Sequence, residues 1–213
     1  MLNSEINLRR IIFVALGEFG KAVGHELQSA NLNMIPIGVE DLPAADQLAS
    51  AQFVVLASGN AATGIVDHLD RLSRDHEIPM LSLTVDSTGI SLAHYHFATP
   101  GSCAVCHASR TLLNSPAQQG DLLLRTFFDE NPSDCSAGYF PPFVHLAAQW
   151  IQHSCLGTTY GIQAGVVRHC SFARAVVTEE RLLPVSGCLR CGIEHDRCNE
   201  LRRELAPYVT ANE

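Results

Sequence analysis

Ile11-Ile12-Phe13-Val14-Ala15-Leu16-Gly17-Glu18-Phe19-Gly20-Lys21 is the stretch that decides the fold class. Its first six residues are β-branched, aromatic and aliphatic, with no polar alternation. That is the pattern of a short parallel strand buried on both faces. Gly17 to Gly20 break the run. From Lys21 to Ala30 apolar residues return at Ala22, Val23 and Leu27, a helical spacing. The chain therefore opens with a strand, a glycine turn and a helix.

The same alternation continues outward. Met34 to Val39 and Phe53 to Ala57 read as further strands, Ile65 to Arg74 as an amphipathic helix, and Pro79 to Val85 as a fourth strand. Strands alternating with helices predict a mostly parallel sheet with right-handed crossovers and helices on both faces. Thr88 to Ala98 suits an antiparallel extension. Residues 115–142 are rich in Ser, Pro, Gly, Asp and Asn and read as a long crossover or mobile loop. Leu122-Leu123-Leu124 and Phe127-Phe128 within it are apolar enough to dock on something. Phe143, Leu146, Ala147, Trp150 and Ile151 mark a strong helix. Residues 165–168 and 173–178 read as a terminal hairpin, and residues 194–208 as a short charged helical tail.

A chain of 213 residues suits one α/β domain with one extension. With 46% hydrophobic and 17% charged residues it is a packed globular protein, not a disordered tail. No apolar run reaches the roughly 18–20 residues that span a bilayer. Met1-Leu2-Asn3-Ser4-Glu5 offers neither a basic head nor a small-residue cleavage site, so a cytoplasmic location is expected. Fourteen Lys and Arg against 22 Asp and Glu leave a net charge of −8, with Lys21 the sole lysine. That excludes a basic stripe for nonspecific nucleic-acid binding.

Eight cysteines stand out in such a chain. Cys103-Ala104-Val105-Cys106 and Cys188-Leu189-Arg190-Cys191 each follow a glycine turn, at Gly101 and Gly187. Two such pairs supply the four sulfur ligands of a closed structural zinc site. With all four positions filled, the site stabilises and does not hydrolyse. The alternative is a redox dithiol, but thioredoxin-like pairs occur singly, at a helix start after a strand. Cys135, Cys155, Cys170 and Cys198 read as ordinary thiols, Cys198 being near enough to the second pair to compete with it. His107 and His195 read as neighbours of the site rather than ligands.

Ala15-Leu16-Gly17-Glu18-Phe19-Gly20 resembles a G-x-G-x-x-G dinucleotide turn whose first glycine is alanine. Glu40 stands about 20 residues on, where a ribose-binding acid sits. Gly17, Gly20 and Glu40 are thus the candidate nucleotide site. Against it, Glu18 lies inside the loop and Lys21 is the nearby cation, so a turn kept for packing is the competing explanation.

The order of these parts resembles the ThiF-like superfamily, the Rossmann-like fold of ubiquitin-activating-type adenylyltransferases. The likeness spans about residues 10–192. Its specific marks are the paired Cys-x-x-Cys motifs and the hairpin leading into the second one. Within that superfamily the chain is most similar to the ThiF-like partner proteins of YcaO enzymes, which form thiazoline and oxazoline rings in ribosomal peptides such as bacteriocins. The resemblance implies one ThiF-like domain over residues 1–193, with a Rossmann-like half at 10–85, a crossover at 115–142, and a helix, hairpin and second cysteine pair at 143–193. A tail at 194–213 follows.

Active adenylating members carry an Arg shortly after the second strand's acid and an Asp after the third strand. Here 41–51 holds no Arg or Lys, and Ser58-Gly59-Asn60-Ala61-Ala62 holds no carboxylate. Phosphoryl chemistry depends on such charges. The resemblance therefore implies a noncatalytic scaffold that contains structural Zn2+, with ATP used by a YcaO-type cyclodehydratase partner. It also implies a homodimer. With the first strand at Ile11, recognition of the precursor peptide is expected to fall to a separate protein or to a different surface. The alternatives are an ATP-dependent adenylyltransferase acting on a peptide or sulfur-carrier C-terminus, and a thiol redox protein or metallochaperone.

Overall fold

The apolar run at the start becomes a central strand, β1 (Ile11–Leu16), whose side chains are buried on both faces of a sheet. In this computed structural model the described residues are 10–191, apart from 31, 39–42, 44, 61, 87, 100–102, 133, 135–137, 160 and 186–187. After β1 come α1 (Gly17–Ser29), β2 (Met34–Ile37), a single turn α2 (Ala45–Leu48), β3 (Phe53–Ser58), α3 (Thr63–Asp75), β4 (Met80–Val85) and β5 (Gly89–Tyr95). The chain continues through α4 (Ala104–Leu113), α5 (Gln118–Glu130), α6 (Pro141–Leu156), β6 (Val166–Ser171) and β7 (Val176–Arg181). Among the described residues the seven strands form one sheet, in the order β2-β1-β3-β4-β5-β6-β7.

The sheet is mixed rather than mostly parallel. β2, β1, β3 and β4 run parallel, while β5, β6 and β7 each pair antiparallel with the strand before them in the sheet. The reason is connection length. Only residues 86–88 separate β4 from β5, too few for a crossover, so the chain must turn back. The expected hairpin is present as β6–β7, but it extends the main sheet. Pro36 sits in β2, an edge strand, where its missing N–H breaks no ladder.

Helices cover both faces. One core layer joins Phe13, Val55 and Leu83 to Phe19 and Val23 of α1 and to Ala147 and Ile151 of α6. The other joins Val14, Leu56 and Tyr95 to Leu48, Leu69 and Ala104 from α2, α3 and α4. α6 starts with Pro141-Pro142 and stops at Gly157 in the left-handed region, φ 67°. Among the described residues no helix is long and apolar enough to cross a membrane.

Two elements depart from the sequence expectation. α1 starts at Gly17, with no intervening loop, because Gly17 takes φ 66° and turns the strand directly into a helix. The stretch expected as a loop at 115–142 contains the 13-residue helix α5. Its flanks, Ser115-Pro116 and Asn131-Pro132, carry the loop signals, whereas its interior includes the helix formers Gln118, Gln119, Leu122 to Leu124 and Arg125. The apolar residues do not form a core-facing stripe because α5 buries none of them. The tail at 194–213 lies outside the described residues.

Gly20 and Gly120 make a contrasting pair. A Cβ on Gly20 would stand 2.3 Å from the Ala57 carbonyl oxygen, so α1 packs on the sheet only with glycine there. A Cβ on Gly120 of α5 meets nothing within 4 Å. Gly20→Ala is expected to lower stability by about 1–3 kcal/mol. Gly120→Ala is expected to raise it by about 0.5–1 kcal/mol. Urea midpoints of the two variants check both signs.

Candidate functional site

The first cysteine pair lies at a helix start. Cys103 is the N-cap of α4, and its sulfur accepts from the Cys106 backbone N–H at 3.4 Å. Both sulfurs are buried at the foot of the sheet. The helix-start position, taken from sequence as a mark of redox dithiols, therefore does not discriminate here. The partners do. Cys188 and Cys191, after β7, meet the first pair across 85 residues of sequence, with Cys103–Cys188 at 3.8 Å and Cys106–Cys191 at 3.4 Å. Cys188–Cys191 is 4.0 Å and Cys191–Cys103 is 3.0 Å.

All four sulfurs lie within 4.8 Å of one another, and these cysteines are free thiols. Four sulfurs at 2.3 Å from one ion stand about 3.8 Å apart. The cluster can thus hold a metal ion without rearrangement of its elements. A redox dithiol needs only two of these sulfurs.

The electrostatics of the cluster suit a shared proton or a cation. The Cys191 thiol donates to the Cys103 sulfur, which holds Cys103 well below the usual thiol range and pushes Cys191 well above it. Burial pushes Cys106 up to about 11, against an N–H from Val185 at 3.2 Å that favours its thiolate. Ligation by a metal replaces such protons. His107 points elsewhere: its Nδ1 and the Tyr95 hydroxyl are 2.8 Å apart. Burial, with the Arg125 charge adding, lowers it to about 4. Cys155 and Cys170 are buried in the core away from the cluster. Cys135, Cys198 and His195 lie outside the described residues.

The second pair is gripped by residues that the sequence reading passed over. Arg110 of α4 donates to the carbonyls of Leu183 and Pro184, at 2.8 and 2.7 Å. Arg190 reaches Asp67 and Asp70 of α3. Asp70 had a legible signal: it falls at i, i+4, i+7 with Val66 and Ser73, on the stripe of α3 facing the sheet.

The nucleotide candidates do not assemble in the same way. Gly17 and Gly20 each have a backbone reason, given above. Glu40 lies outside the described residues. Glu18 and Lys21 pair with each other at 2.8 Å on the surface. The end of β3 is closed by Asn60, only 5% exposed. Its carboxamide donates to the carbonyls of Pro132 and Asp134, at 3.2 and 2.5 Å. Its oxygen accepts from the Ala62 N–H and the Ser58 hydroxyl. The N-terminus of α3 is capped by Asp129 of α5, which accepts from the Gly64 N–H at 2.7 Å and the Thr63 hydroxyl at 3.0 Å. A cavity of about 530 Å3 opens between β4, β5 and helices α3 to α5, lined by Ser82, Thr84, Tyr95, His107 and Arg125. Neither Gly17, Gly20 nor Asn60 lines it.

No protein-family model matches the sequence, and no curated protein matches it. Solved structures do. The chain shares its fold with the heterocyclase TruD, at TM-score 0.62 and 15% identity over 92% of this chain. It is similar to a chain of the Escherichia coli microcin synthetase McbBCD complex, at 0.59 and 12% over 88%. It is also similar to E. coli MccB, at 0.57 and 12% over 88%. The chain corresponds to 29% of the TruD chain, 70% of the McbBCD chain and 67% of MccB. At these identities the likeness is one of fold.

Asn60 yields a direct test. Asn60→Asp replaces two donors with a carboxylate facing two carbonyls. It is expected to lower stability by about 2–4 kcal/mol. The buried carboxyl would have a raised pKa, so the penalty is present above that pKa and shrinks as pH falls through it. Urea unfolding of the variant and the parent between pH 4 and 8, values on the order of the carboxyl range, checks the size and the sign.

Proposed function

We propose that the chain is a noncatalytic, zinc-containing, ThiF-like partner subunit of a YcaO-type cyclodehydratase. The complex would install thiazoline or oxazoline rings in a ribosomally made precursor peptide in the cytoplasm. The fold shared with the heterocyclase TruD and the McbBCD microcin synthetase supports this placement. The observation that carries the noncatalytic part is Asn60. Both of its amide hydrogens and its side-chain oxygen are engaged by the chain itself, at the strand end where an adenylating enzyme needs a carboxylate for its metal ion. An adenylyltransferase would have to break this clamp to bind ATP.

Cys103, Cys106, Cys188 and Cys191 would hold the zinc. Four soft thiolates fit that metal. Bound there, it supplies a cross-link between the middle and the end of the chain and offers no open position to substrate. One zinc per chain is expected by elemental analysis of freshly purified protein. Cys188→Ser is expected to strip the metal and sharply lower the Tm, because binding energy at such a site is folding energy. Protein free of zinc, with a Tm indifferent to chelator, contradicts the assignment.

α5 is the proposed contact with the YcaO-type partner. Polar groups hold it to the body: Arg125 donates to the Ala108 carbonyl at 2.9 Å, and Asp129 caps α3. Leu123 is 72% exposed and Phe127 48%, with Leu122 and Leu124 also outward. Such a patch marks an interaction surface. Self-association and recognition of the precursor peptide through a separate protein complete the proposed assembly. Leu123→Ser with Phe127→Ser is expected to change stability by only about 0.5 kcal/mol, and to weaken co-purification with the YcaO-type enzyme. A loss of stability with association intact would place these residues in the core instead.

A further inference from the structure

We propose that Arg190, Asp67 and Asp70 form a charge lock that places both cysteine pairs for the metal, making Asp70 and Arg190 positioning residues of that centre. The proposal rests on the metal assignment above.

The geometry is unusual in joining both halves of the cluster through one carboxylate. Arg190 stands between Cys188 and Cys191 in sequence. Its Nη1 lies 2.5 Å from Asp67 Oδ1 and 3.1 Å from Asp70 Oδ2. The same Asp70 oxygen accepts the backbone N–H of Ala104 at 3.1 Å. Ala104 follows Cys103, so this bond fixes the first turn of α4, on which Cys103 and Cys106 are carried. The other Asp70 oxygen accepts from Arg74 Nε at 3.1 Å. One carboxylate on α3 therefore sets the first pair through a backbone amide and the second pair through a guanidinium.

Burial makes this more than a surface ion pair. The Asp70 side chain is 1% exposed and that of Arg190 18%. Removing one partner of such a pair leaves a charge uncompensated, which costs far more than an exposed pair contributes. The lock also answers a charge problem. Four thiolates around a divalent ion carry net negative charge, and Asp67 and Asp70 add to it nearby. Arg190 and Arg74 are the cations brought up against them. Arg71 pairs with Asp67 as well, but with 62% of its side chain in solvent. It serves as the internal control.

The test is Zn2+ affinity of the full chain, measured by competition with a chromophoric chelator, with Co2+ absorption as a probe of the four-sulfur environment. Arg190→Gln and Asp70→Asn are each expected to weaken Zn2+ binding by about 10–100-fold, as loss of a group that orients ligands does. The double variant is expected to lose less than the product of the two, because each group acts through the other. Arg190→Lys should recover part of the affinity, and Arg71→Gln should leave it unchanged. Single variants with parental affinity, or a double variant losing the full product, overturn the lock. If Asp70→Asn does not fold, Arg190→Gln and Asp67→Asn give a cycle for the half of the lock that holds the second pair. A parent chain that takes up no Zn2+ overturns the metal assignment itself. A parent that binds tightly beside variants that bind equally tightly overturns the lock alone.

Discussion

Four sulfur atoms, with contacts of 3.0 to 4.0 Å, hold the exit of β7 against the start of α4. That contact joins the segment after β7 to the middle of the chain. β7 is an edge strand with all six residues exposed, so apolar burial does little to keep the hairpin end in place. The segment after it is tied by Leu182, buried in the core, and by polar and sulfur contacts: Arg110 on Leu183 and Pro184, Val185 on Cys106, Arg190 on Asp67 and Asp70. Cross-linking distant segments removes conformational freedom from the unfolded chain. A metal at the cluster would act in the same sense.

The opposite end of the sheet is closed by the chain's own groups. In an open α/β sheet the ligand crevice lies beyond the carboxyl ends of the parallel strands. Here Asn60 ties the end of β3 to the segment after α5, and Asp129 of α5 occupies the N-terminus of α3. Both contacts use polar groups of the α5 region, which leaves its leucines and Phe127 facing outward. One arrangement thus accounts for two features. The end of β3 and the start of α3 are filled by the chain's own polar groups, and α5 turns an apolar face outward.

Features written locally in the chain were legible from sequence. Strands buried on both faces appear as unbroken runs such as Phe53-Val54-Val55-Leu56, and α6 carries its own 3.6-residue period. The cysteine spacing identified its own cluster. What was missed depends on distant partners. Asn60 looked like a missing carboxylate, because its acceptors lie 72 and 74 residues away. α5 carries no core-facing apolar stripe, so its sequence reads as a loop. Asp70 lies on the buried stripe of α3, but its partner Arg190 is 120 residues away and no local pattern connects the two. The mixed sheet follows from the short β4–β5 connection, which is weighed correctly only once both strands are placed.

The central claim is that this chain assists ring formation without performing nucleotide chemistry itself. Mass spectrometry of a precursor peptide, incubated with ATP and the chain in the presence and absence of a YcaO-type enzyme, tests it most directly. The expected result is loss of water from the peptide only when both proteins are present, and no change with the chain alone. An adenylylated peptide formed by the chain alone, with release of pyrophosphate, would contradict the account.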